Sequence, residues 1–166
     1  MDLIINSKTT QKYINEFYEF EKRFHDAKDY LPPDDAITSA YMFVIFHLNN
    51  NMPRKTIRYI NYITKHAGQA RRDIHRLAIL AEMAAHFRLG NLDLFESKLN
   101  SYKKILVKQG VVFGFETELP KLLQNIFNEP DKKSHYTSLN ETITQNLMEE
   151  KKEIYLQFNP FITMNQ

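Results

Sequence analysis

Arg72–Gly110 reads RDIHRLAILAEMAAHFRLGNLDLFESKLNSYKKILVKQG, and the spacing of its apolar residues decides the fold. Ile74, Leu77, Ala78, Ala81, Ala84, Ala85 and Leu89 recur at three- and four-residue steps, which predicts a helix over about 71–89 with one apolar face. The alanines on that face let a neighbour approach closely. Gly90 ends the helix, because glycine takes the left-handed conformation that closes a last turn without steric cost. Asn91 then caps a second helix, over about 92–109, with Leu92, Phe95, Leu99, Tyr102 and Leu106 inward and Gly110 closing it. The product is a helical hairpin.

The same grammar extends in both directions. Upstream, Tyr13, Ile14, Phe17, Phe20 and Phe24 predict a helix over about 10–27, broken at Asp29–Pro33 by two consecutive prolines. Asp34 and Asp35 open a second helix to about Leu48, where acidic side chains suit the positive end of the helix dipole. Its centre, Ala40–Phe46, is apolar almost all round, which predicts burial on every side. Asn49–Asn51 form a turn. Pro53 then opens a helix to about His66, with Ile57, Ile60 and Ile63 inward and Gly68 as its stop. Downstream, a helix is predicted over about 115–128, with Pro120 near its start and Pro130 preventing extension. Ser138 with Glu141 reads as a capping box for a helix over 139–155. Residues 156–166 read as an extended tail that docks through Phe158, Phe161 and Ile162.

A repeat runs through this pattern. Phe46-His47-Leu48-Asn49-Asn50 parallels Phe87-Arg88-Leu89-Gly90-Asn91 41 residues later, and Ile57, Ile60, Ile63 and Gly68 parallel Leu99, Tyr102, Ile105 and Gly110 42 residues later. A hairpin of this kind buries its apolar stripe only against the next one. The expected architecture is therefore one all-α domain over 1–166, with six or seven helices as stacked antiparallel hairpins over about 10–128.

From Arg72-Asp73 to the Leu89-Gly90-Asn91-Leu92-Asp93-Leu94-Phe95-Glu96 turn, the chain resembles tetratricopeptide-repeat-like (TPR-like) bacterial proteins of unknown function. Leu94, Ser97, Leu99, Ser101-Tyr102-Lys103-Lys104 and Leu106 continue the likeness, as do Phe113-Gly114-Phe115-Glu116 and the upstream hairpin at about 36–67. The resemblance implies a short TPR-like α-solenoid and protein or peptide binding. It carries over no catalytic residue. The unit here is longer than the standard 34-residue repeat, and the Asn49–Asn51 turn lacks the glycine.

Composition narrows the function. The 166 residues are 43% hydrophobic and 25% charged, enough for a packed core, and 22 basic against 20 acidic residues leave a net charge of +2, neither that of a basic nucleic-acid binder nor that of an acidic tail. With no cysteine there is no thiol nucleophile, disulfide or thiolate metal site. Four glycines include no phosphate-binding loop and no nucleophile elbow. Neither a signal-peptide pattern nor an apolar run near the roughly 20 residues of a membrane span is present. A cytoplasmic, non-enzymatic protein without cofactor or metal is expected.

Charge is segregated. Between Met52 and Gly90, Arg54, Lys55, Arg58, Lys65, Arg71, Arg72, Arg76 and Arg88 face only Asp73 and Glu82, a local net of +6, while residues 1–51 carry a net −3 and residues 111–150 a net −4. Such a middle is either a solvated face drawn to its acidic flanks or a patch for an acidic partner. On the helix over 71–89, Arg72, His75, Ile79, Glu82 and His86 form a stripe opposite the alanines. With Tyr41 of the helix opened by Asp34 as a hydrogen-bonding aromatic and Arg76 from the basic run, the candidate binding residues are Tyr41, Arg72, His75, Arg76, Glu82 and His86. Glu82 and His86, four apart, have the spacing of two metal ligands, but a catalytic zinc needs a third and none is evident. Three readings stay open: a peptide-interaction module favouring acidic partners, a nucleic-acid-associated regulator using Arg54–Arg76, and a small helical metal protein or enzyme.

Overall fold

A computed structural model describes residues 11–66, 71–110, 118–129, 131–139 and 141. These residues are all-helical, with no strand among them. Six helices run in order: α1 Gln11–Ala27, α2 Pro33–Asn49, α3 Pro53–His66, α4 Arg72–Arg88, α5 Leu92–Gln109 and α6 Leu119–Asn128. Residues 133–139 form a further helical stretch, α7. The expected Gly68 stop, the start of the helix over 115–128, most of the helix over 139–155 and the docked tail lie outside the described residues. No helix among the described residues is long and apolar enough to cross a membrane. The chain divides into two compact units, Met1–Ala78 and Ile79–Gln166, with the boundary inside α4.

In the first unit, α2 is the centre. Ala36, Ile37, Ala40, Tyr41 and every residue from Phe43 to Leu48 are buried, as its all-round apolar pattern demands. Pro33 supplies the first turn without an orphaned N–H, and Asp34 and Asp35 follow it at the positive end of the dipole. Three residues join α2 to α3, so the two run antiparallel. From α1, Phe17 stacks on Phe46 at 3.6 Å between centroids and meets Phe43 edge-on at 5.2 Å, while Phe24 and Tyr59 lie 5.1 and 5.0 Å from Phe43. The inward face of α3 is Thr56, Tyr59, Ile60 and Ile63. Ile57, expected inward, is only half-buried, and Phe20 of α1 is exposed.

The second unit is built on the rest of α4 with α5, α6 and α7. Phe95 of α5 lies 5.7 Å from Phe87 of α4 and stacks on Phe127 of α6 at 6.1 Å, while Tyr136 of α7 meets Phe87 at 6.0 Å. Lys103 Nζ donates to Gln124 Oε1 at 3.0 Å, tying α5 to α6. The capping box expected at Ser138 is not a helix start, because α7 is already helical from 133. Glu129 organises the earlier start: its Oε2 accepts from Lys132 Nζ at 2.8 Å and lies 2.6 Å from His135 Nε2. Tyr136 and Leu139 then give α7 a buried side.

The repeat is present locally, in a different register from the one the letters suggest. Residues Asn51 (φ 55°) and Gly90 (φ 71°) hold the same left-handed position, and the end of the helix before each and the start of the helix after it recur at the same 39-residue offset. The hydrogen bonds agree. Met52 N–H donates to His47 O at 2.8 Å and Asn51 N–H to Leu48 O at 3.1 Å; Asn91 N–H donates to His86 O at 2.9 Å and Gly90 N–H to Phe87 O at 3.0 Å. Both are the paired bonds of a Schellman motif. Letter matching set Gly90 beside Asn49, but backbone conformation sets it beside Asn51, since asparagine is the residue after glycine that best tolerates positive φ.

Candidate functional site

The expected stripe on α4 does not form a surface. Arg76, Ile79, Glu82 and His86 are buried, with His75 half-buried and Arg72 exposed. The alanine face is not the only apolar one on this helix: Leu80 and Met83 are buried too, so α4 is covered nearly all round. Glu82 binds Lys98 of α5, Oε2 to Nζ at 2.9 Å, and lies 3.8 Å from His86 Nε2. Burial holds His86 below the ordinary histidine value against the pull of Glu82. Tyr41 is buried as well. Its hydroxyl has no partner among the described residues, and burial pushes its pKa upward. The basic run is likewise divided: Arg54, Lys55, Arg58 and Lys65 are exposed on α3, whereas Arg76 is buried and Arg71 is held by Asp73, Nη2 to Oδ2 at 3.0 Å, and by Thr38 at 2.7 Å.

Chemistry gathers instead between α1 and α3. The helical spacing of α1 puts Tyr18, Glu21, Lys22, His25 and Asp26 along one side of an open cleft of about 320 Å³, and Lys55, Arg58 and Tyr59 of α3 form the other. At its base is a hydrogen-bonded chain. Tyr59 donates its one proton to Glu21 Oε1 at 2.5 Å. Since that proton is spent, His25 Nε2, 2.8 Å from the same hydroxyl, is the donor in its own contact. His47 Nε2 donates to Glu21 Oε1 at 2.8 Å from behind, where α2 carries it, with its ring stacked on Tyr59 at 5.6 Å.

The electrostatics follow from this chain. Burial alone would raise the Glu21 carboxyl, but hydrogen bonds from Tyr59 and His47 hold it below its ordinary value, so it stays ionised. Burial keeps His47 neutral despite that carboxylate. With Nε2 as the donor, its unpartnered Nδ1 is the deprotonated nitrogen. Burial, the Glu21 hydrogen bond and the Glu21 charge all push Tyr59 upward, fixing it as a phenol. His25 is lowered by burial and then by Arg58. Above this satisfied base stand the cations. Lys55 Nζ lies 4.8 Å from the centre of the Tyr18 ring. Among the described residues, neither it nor Lys22 nor Arg58 forms an ion pair.

Sequence reasoning passed over Glu21, His25, His47 and Tyr59. The available signal was Tyr18, Glu21 and His25 at three- and four-residue steps on a helix otherwise read for its phenylalanines. Among the described residues, no group of three or more histidines and carboxylates is arranged to hold a metal ion. Family models, curated proteins and solved structures give no match to this chain, so the site stands on its own geometry.

Proposed function

We propose that the chain is a non-enzymatic protein- or peptide-interaction module on a TPR-like scaffold of helical hairpins, and that it favours acidic partners. The observation that carries this reading is the cation set of the α1–α3 cleft. Lys22, Lys55 and Arg58 border an open cavity, and the carboxylate beneath them is already engaged by Tyr59 and His47. Set against Glu21 and Asp26 of the same lining, the three cations leave a net +1 to attract an incoming anion. Arg54 and Lys65, exposed on the same helix, extend the positive field. The recurrence of one hairpin turn 39 residues on supports the repeat half of the reading. A nucleic-acid partner is less favoured, because burial of Arg76 and the Arg71–Asp73 pair break the Arg54–Arg76 run.

Fluorescence anisotropy with a labelled Glu/Asp-rich decapeptide, against its Gln/Asn counterpart, tests the proposal. Binding of the acidic peptide alone is expected, weakening as salt rises and lost with Lys55→Glu/Arg58→Glu. Equal binding of both peptides, or none at low salt, overturns it. Tighter binding to single-stranded DNA or RNA with a steep salt dependence would move the assignment to nucleic acid.

A further inference from the structure

The α1–α3 cleft has the size and the charge of a seat for one monoanionic group. Its volume, about 320 Å³, is at the small end for ligand cavities, which suits one side chain better than an extended strand. Its lining holds three cations and two carboxylates, a formal net of +1 with His25 neutral. A single negative charge brings that set to zero, whereas a dianion would leave it at −1. Two of the lining groups are also held in place. The Tyr18 ring steadies the Lys55 ammonium, and Tyr59 is locked between Glu21 and His25. Such ordering in the free protein lowers the entropic cost of binding.

We propose that this cleft takes a single carboxylate, an acidic side chain of a partner protein, with Arg58 and Lys55 as its ion-pair partners. The stem of that side chain lies along the rings of Tyr18 and Tyr59. The inference rests on the reading of the chain as a module for acidic partners and narrows it to one anchoring residue in one place.

Nuclear magnetic resonance of the full chain tests it, with four probes: N-acetyl-glutamate α-amide, N-acetyl-glutamine α-amide, inorganic phosphate and the Glu/Asp-rich decapeptide. The glutamate derivative is expected to shift the His25, Tyr18 and Tyr59 signals saturably and the glutamine derivative to leave them in place. Arg58→Gln and Lys55→Gln, exposed changes whose folding is checked by circular dichroism, are each expected to weaken the glutamate derivative and the peptide about tenfold, the worth of one charge-assisted hydrogen bond. Equal shifts from the glutamate and glutamine derivatives, or tighter binding of phosphate, overturn the carboxylate assignment. Peptide binding unchanged in both variants overturns the cleft and leaves the module reading standing. Saturable binding of the glutamate derivative with no binding of the peptide supports the cleft and removes the module reading.

Discussion

His47 and His86 occupy the same place in two hairpin turns, each the residue whose carbonyl accepts the Schellman bond from five residues on, and each is buried with an unpartnered Nδ1. Each also faces a carboxylate, but the carboxylates come from different directions. Glu21 reaches His47 from another helix, 26 residues away, and shares the contact with Tyr59. Glu82 sits one turn before His86 on its own helix and pairs with Lys98. Residues Tyr59 and Lys98 are themselves 39 apart, so the same two positions are filled by phenol and ammonium. In the first hairpin the phenol cannot neutralise its carboxylate, and a cleft with unpaired cations opens above. In the second the ammonium closes the pair. One backbone frame thus carries an open, cation-lined cleft in one unit and a closed ion pair in the other.

The largest test of that contrast is removal of each carboxylate. Glu21→Ala leaves the His47 Nε2–H buried without an acceptor and takes a partner from Tyr59, and is expected to cost about 3 kcal/mol. Glu82→Ala leaves Lys98, whose side chain is 35% exposed and turns readily to water, and is expected to cost about 1 kcal/mol. Urea unfolding followed by circular dichroism measures both. Equal losses would mean that the two carboxylates do the same structural job.

Acid comes next. His47, His86 and His25 are all lowered from 6.5. In the window below 6.5 the unfolded chain binds protons that the folded chain refuses, so stability is full above 6.5 and falls as the pH drops towards the folded values. Glu21, lowered from 4.5, adds a second loss below 4.5. The melting temperature is therefore expected to fall steadily between pH 7 and pH 5, and His47→Gln, which keeps a donor for Glu21, is expected to flatten part of that slope. A flat wild-type profile over this range would show that the histidines find partners for a second proton in the folded state.

What the letters revealed and concealed follows the range of the interactions. Helix limits depend on neighbours three or four residues away, and so the two prolines at 32–33, Pro53 and Gly90 mark them to within a residue or two. Burial of α2 was legible from Ala40–Phe46, because no rotation of that segment offers a polar face. On α4 the alanine spacing alone points to a single inward face, but Leu80 and Met83 give its other sides an apolar character as well, and Glu82 and His86 are carried inside with them. The Glu21–Tyr59 bond spans 38 residues, and no spacing rule connects two polar residues on separate helices. The α1–α3 cleft was therefore invisible until the helices were packed.

The smallest expected effects probe the turns themselves. Asn51 and Gly90 share a left-handed backbone that costs a side-chain-bearing residue about 1 kcal/mol and glycine almost nothing. Gly90→Ala meets no steric obstacle, since nothing lies within 4 Å of the added Cβ, so its net loss of about 1 kcal/mol would come from backbone strain and not from a clash. Asn51→Gly runs the other way. It relieves the strain at that position but adds freedom to the unfolded chain, and asparagine already tolerates this region, so a gain of only about 0.5 kcal/mol is expected. If the two turns are equivalent, the changes should be additive in the double variant, each lying in its own hairpin. Should Asn51→Gly destabilise instead, the asparagine side chain would be contributing something that glycine in the second turn lacks, and the 39-residue correspondence would hold for the backbone but not for its energetics.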